Sequence, residues 1–117
     1  MEHLQEEKKE ALQAVGEYLE KLIPGIKTLC SELKGDRQPD TDDFQKQCIE
    51  GLNWIIEVYN RVSDIVAVDK FHLTKEELNN QLIALGDALK NKEDARIAEI
   101  LEGSVVTFLT DLANAAK

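Results

Sequence analysis

The sequence predicts an all-α protein: a four-helix up-and-down antiparallel bundle, with the first two helices longer than the last two and the first kinked at Pro24. Three observations carry this reading. Apolar residues recur at three- and four-residue steps along nearly the whole chain, which is the period of one helix face. Only 6 glycines and 2 prolines interrupt 117 residues, too few for a turn-rich β fold. Thr74 and Glu77 form the S/T-x-x-E capping box, with Leu73 and Leu78 at the hydrophobic-staple positions around it. A chain of this length amounts to one domain, residues 1–117, and buries roughly two-thirds of its unfolded surface without metal or disulfide staples.

The first helix is read from Leu4, Leu12, Val15, Leu19, Leu22, Ile23, Ile26, Leu29, Cys30 and Leu33. Pro24 removes a backbone hydrogen bond inside it, yet the stripe keeps its phase from Leu19 to Leu33, so one kinked helix is expected rather than two. The segment KGDRQPDTDDF is the clearest loop. Gly35 suits a C-cap, Pro39 discourages helix, and Asp40 to Asp43 offer N-caps and negative charge to the next helix start. Its acidic cluster is not a calcium loop, because the central glycine and closing glutamate of an EF-hand are missing.

The second helix is expected from about residue 42 to residue 69, with Phe44, Cys48, Leu52, Ile55, Ile56, Tyr59, Val62 and Val66 on its core face. After the Thr74 cap, Leu78, Leu82, Leu85 and Leu89 make a third stripe, and Ile97, Leu101, Val105, Phe108 and Leu112 a fourth. One uninterrupted helix would set those two stripes about a quarter turn or more apart. A break is therefore expected at KNKED, with Asn91 as a left-handed C-cap and Glu93 and Asp94 opening the last helix. Short connections make neighbouring helices antiparallel. A long first pair projecting past a short second pair would leave apolar surface uncovered, which favours an oligomer.

The chain carries 23 acidic and 14 basic residues, a formal charge of −9, and that sign repels phosphate backbones and anionic lipid. No nucleic-acid partner is expected. No stretch approaches the roughly eighteen apolar residues of a membrane span, and the first residues lack the apolar run of a signal peptide, so the expected location is cytoplasmic. Cys30 and Cys48 fall on core stripes and read as reduced, buried thiols; antiparallel helices would also allow a bridge between them. His3 and His72 supply no E-x-x-H pair for a metal-bearing bundle core, no G-x-S-x-G elbow or phosphate loop is present, and Gly51, Gly86 and Gly103 stand alone. No catalytic residue, metal ligand or cofactor is expected, and the chain is read as non-enzymatic.

What remains is surface. With Leu52 as the origin of a helical wheel, the core stripe of the second helix falls within about 80° either side, whereas Trp54, Val58, Ile65 and Val68 fall at about 160° to 240°. Trp54, Val58, Arg61 and Ile65 are therefore the expected interface, an apolar row with Glu57 beside it. The function expected is protein–protein interaction, with a homodimer as the leading form because two-fold pairs dominate homo-oligomers. Two alternatives stand beside it. One is a secretion or flagellar-export type chaperone that holds an amphipathic segment of a client protein. The other, weaker one is a small-ligand carrier or enzyme that uses the bundle interior.

The segments LIPGIKTL, IEGLNWIIEVYNRV and ALGDALKNKEDARIAEILEGSVVTFLTDL resemble a family of short, uncharacterised bacterial helical-bundle proteins. Gly51, Leu52, Trp54 and Ile55 carry one motif; Asp94, Ile97, Ala98, Glu99, Ile100, Leu101 and Glu102 carry the other. The resemblance implies a helical domain of unassigned activity from a motility-linked or envelope-linked setting, and it names no catalytic residue.

Overall fold

The amphipathic first segment folds as one helix, α1 (Glu2–Leu33), which continues through Pro24 without a break. Pro24 is exposed, so the carbonyl that loses its donor there faces water rather than the core. The computed structural model describes residues 2–64 and 70–116, with side chains from residue 6 onward. His3, Leu4, Ile65, Val66, Val68 and Asp69 thus lie outside the described side chains. Helix α2 spans Thr41–Val62 and α3 spans Lys75–Lys90. The fourth rod is composite: α4 (Asp94–Ile100), a π turn (Leu101–Val105) and α5 (Val106–Ala115) follow one another without a gap. The described residues hold four helical rods and no strand, as the periodicity predicts.

Helix α1 is the axis of the bundle. It packs against α2 on one side and against the fourth rod on the other, while α3 leans on α4 and the π turn. Lys8 of α1 pairs with Asp64 just past the end of α2, and Gly25 approaches Phe44 near its start, so α1 and α2 run antiparallel. Gly16 meets Ala116 and Cys30 meets the Ala98 carbonyl, so the fourth rod is antiparallel to α1 as well. Val15, Leu19, Ile26, Leu29 and Cys30 are wholly buried between these neighbours.

The boundaries differ from the sequence reading in several places. Helix α2 ends at Val62 instead of reaching residue 69, and just beyond it Ser63 Oγ accepts from Lys75 Nζ at 2.9 Å and Asp64 accepts from Lys8 at 2.8 Å. At 22 residues against 32 for α1, it does not form a long pair with it. Glu7, Lys8 and Ala11 of α1 share a recess with Arg61 and Val62 at the end of α2. The Thr74 capping box forms as expected, with Thr74 Oγ1 accepting from the Glu77 N–H at 3.0 Å.

At the end of α3 the left-handed residue is Lys92 (φ 55°), not Asn91. The Lys92 N–H donates to the Leu89 carbonyl and the Glu93 N–H to the Ala88 carbonyl, the paired closure of a Schellman motif, which places its left-handed residue one position later. The fourth rod widens into a π turn at Leu101–Val105, and Ile97, Leu101 and Val105 are all buried along it.

The loop between α1 and α2 is closed by two polar devices. Thr41 is completely buried; its Oγ1 accepts from the Gln38 N–H at 2.7 Å and donates to Glu32 Oε1 at 2.6 Å, while Asp40 occupies the cap position without a side-chain hydrogen bond. Arg37 forks onto Asp94 of α4 through Nε at 2.8 Å and Nη2 at 3.2 Å, and reaches Asp42 through Nη1 at 2.9 Å. The hydrogen bonds from Arg37 hold the Asp94 carboxyl below the usual carboxylate range. A depressed folded value contributes stability above the ordinary carboxylate pKa and loses it as pH falls through the depressed one. Arg37→Ala is therefore expected to lower the urea midpoint at neutral pH, with the gap to wild type closing in strong acid. A gap of constant size across pH would contradict this role of Asp94.

Candidate interaction surface beside Trp54

Tyr18 on α1 and Gly51 and Trp54 on α2 meet where the two antiparallel helices lie closest. A methyl group added at Gly51 would run into the Tyr18 hydroxyl and ring, so the absent side chain is the space the tyrosine occupies. From there the Tyr18 ring meets Trp54 edge-on, with centroids 5.6 Å apart and planes at 77°. Trp54 is nonetheless 41% exposed, one of two large apolar side chains that face solvent among the described residues; the other, Ile83 on α3, is remote from it in sequence. Tyr18, Gln47, Glu50, Gly51 and Trp54 line a shallow concavity of about 550 Å³.

Of the four residues expected at the interface, the structure places Trp54 and Arg61 on the exposed face of α2, and Ile65 lies outside the described residues. Val58 is corrected: it is 6% exposed and belongs to the core. The sequence places the buried arc of α2 about Leu52, but the buried residues are Thr41, Cys48, Gly51, Leu52, Ile55, Val58, Tyr59 and Val62, and their arc is rotated about 60° toward Gly51 and Val58. Ile56, on the opposite flank, is only half-buried. Val58 lies on the same side of α2 as Gly51 and is buried with it, whereas Trp54 is met only from the side by Tyr18 of α1.

Sequence reading missed Tyr18, the residue that Gly51 makes room for. The available signal was positional: Tyr18 stands one residue before the stripe residue Leu19, and Gly51 one before Leu52, so each flanks a core position on the side where the helices meet.

Cys30 and Cys48 are free and buried, and burial pushes each thiol up to about 11. A bridge between them is not formed. Asp111 of α5 accepts from the His72 backbone N–H at 2.9 Å and contacts His72 Nδ1, fixing the connector into α3. Arg37, Asp42, Gln45, Lys92 and Asp94, with Leu89 and Ile97, line a polar recess of about 270 Å³ where three helix ends converge. Among the described residues no three His, Cys, Asp or Glu side chains converge as a metal site requires, and no helix is long and apolar enough to cross a membrane.

One family model, described as a domain of unknown function (DUF8042), matches residues 10–115. No curated protein and no solved structure matches the chain.

Proposed function

The chain belongs to the DUF8042 family of domains of unknown function, and on that footing we propose that it is a non-catalytic cytoplasmic protein that works by protein–protein interaction, self-associating through the α2 face around Trp54. The observation that carries this reading is the combination of exposure and fixation at Trp54. A side chain of this size leaves about 1.5 to 3 kcal/mol of burial unused when it faces water. In this protein it is 41% exposed while Tyr18 holds its ring from the side, so little conformational freedom is left to lose on binding. Preorganised tryptophan beside arginine is the composition that interface hot spots favour. The burial of Val58 narrows the surface to one aromatic anchor with charged neighbours.

Mass in solution tests the reading. Wild type is expected to dimerise with rising concentration, and Trp54→Asp to weaken that association by about 2 kcal/mol or more, roughly thirtyfold, while the monomer stays folded with its urea midpoint lowered by the loss of the Tyr18 contact. A wild type that stays monomeric throughout, with Trp54→Asp indistinguishable from it, would sink the proposal.

A further inference from the structure

Glu50, Trp54, Glu57 and Arg61 follow one another at steps of 4, 3 and 4, which brings them within about 60° on one line of α2. All four are exposed. Among the described residues, Glu50, Glu57 and Arg61 take part in none of the ion pairs: Lys8 to Asp64, Lys34 to Glu102, Arg37 to Asp42 and Asp94, His72 to Asp111, and Arg96 to Glu93. Charges of both signs thus stand uncommitted on either side of the exposed tryptophan.

The spacing 4, 3, 4 reads the same in both directions. When two copies of α2 lie antiparallel, a two-fold axis that sets Trp54 against the partner's Glu57 also sets Glu50 against the partner's Arg61. The second pair is oppositely charged and occurs twice. A parallel pairing would instead lay each residue against its own copy, so that like charges face one another at three of the four positions. Given self-association on this face, as proposed above, we infer that the second copy docks antiparallel along α2, with the partner's Arg61 entering the concavity between Tyr18 and Glu50.

The recess has the chemistry for that side chain. Its lining joins two aromatic rings, Tyr18 and Trp54, to the Glu50 carboxylate and the Gln47 amide. A guanidinium is planar, weakly hydrated for a cation, and suited both to stacking on aromatic faces and to a forked contact with a carboxylate. The two Trp54 rings then lie next to one another across the axis, and the two Glu50–Arg61 contacts close the ends of the patch against water. For a chain of charge −9, these contacts supply local attraction against the overall repulsion between copies.

Charge reversal in the full chain tests the register by sedimentation equilibrium. Arg61→Glu and Glu50→Arg are each expected to weaken the dimer at least tenfold, whereas Glu50→Arg/Arg61→Glu in one chain returns the affinity to within a fewfold of wild type. A mixture of the two single variants re-creates an opposite-charge contact and is expected to form the heterodimer in preference to either homodimer. If Trp54→Asp dissociates the wild-type dimer while both single reversals leave it intact, the antiparallel register is wrong and self-association stands. A wild-type monomer at every concentration overturns both. Circular dichroism and urea midpoints of the exposed-site variants report whether each is folded.

Discussion

Phe108→Ala is expected to destabilise the protein by about 3 to 5 kcal/mol, the upper range for truncating a buried side chain. Phe108 is 1% exposed and sits on α5 where the fourth rod, α2 and the connector into α3 come together. Its ring meets Tyr59 of α2 edge-on, with centroids 4.9 Å apart, and Phe71 of the connector at 6.0 Å; Tyr59 and Phe71 stack at 5.8 Å. Removal of the ring therefore opens a cavity and unseats two further aromatic rings. The polar contacts around this cluster depend on the same seating, since the His72 N–H donates to Asp111 and Lys75 stands 5.9 Å over the Tyr59 ring. Urea unfolding at neutral pH measures the loss. Phe108→Leu is expected to recover much of it, because it restores volume without the ring. A Phe108→Ala loss below about 1 kcal/mol would mean that the three rings do not pack as a unit.

How much of the fold was legible in the sequence depends on whether the cause is local. The Thr74 capping box needs only residues 73 to 78, and it forms as read. The four stripes, the continuity of α1 through Pro24 and the break after α3 follow from periodicity within single segments, and those features also stand. The buried arc of α2 is different, because its position depends on what α1 presents opposite Gly51. A helical wheel weights a residue by its own hydrophobicity, and a glycine contributes nothing to that sum, yet Gly51 is buried and makes room for Tyr18, and Val58 on the same side of α2 is buried too. The π turn leaves no mark in the spacing, since three residues in a row four apart also line the core in regular helix, as Leu22, Ile26 and Cys30 do in α1. Thr41 was overlooked because its value lies in two partners, Gln38 and Glu32, that only the folded loop assembles. Trp54 was legible as an outlier from the stripe, and the tyrosine that fixes it was not.

Gly51→Val is expected to cost about 1 to 3 kcal/mol, the range for forcing extra atoms into a packed seam. A β-carbon at this position would lie 3.1 and 3.2 Å from the Tyr18 ring atoms Cζ and Cε2 and closer still to the hydroxyl, so Tyr18 must swing out or the helices must separate. Better helix propensity than glycine offsets only about a few tenths of a kcal/mol of this. The two responses are distinguishable. If Tyr18 swings out, Trp54 loses its edge contact, and because it is the sole tryptophan its emission reports that loss as a shift to longer wavelength. If the helices separate, the Tyr18–Trp54 contact loosens as well, since it joins α1 to α2, and the shift at Trp54 comes with the larger fall in the urea midpoint because the whole seam opens. Tyr18→Ala in the Gly51→Val background separates them further: room made by removing the ring is expected to recover part of the stability, a coupling of about 1 kcal/mol in a double-mutant cycle. Additive losses from the two substitutions would show that Gly51 is not the seat of Tyr18. The fixed geometry of Trp54, on which the proposed association rests, would then need another source.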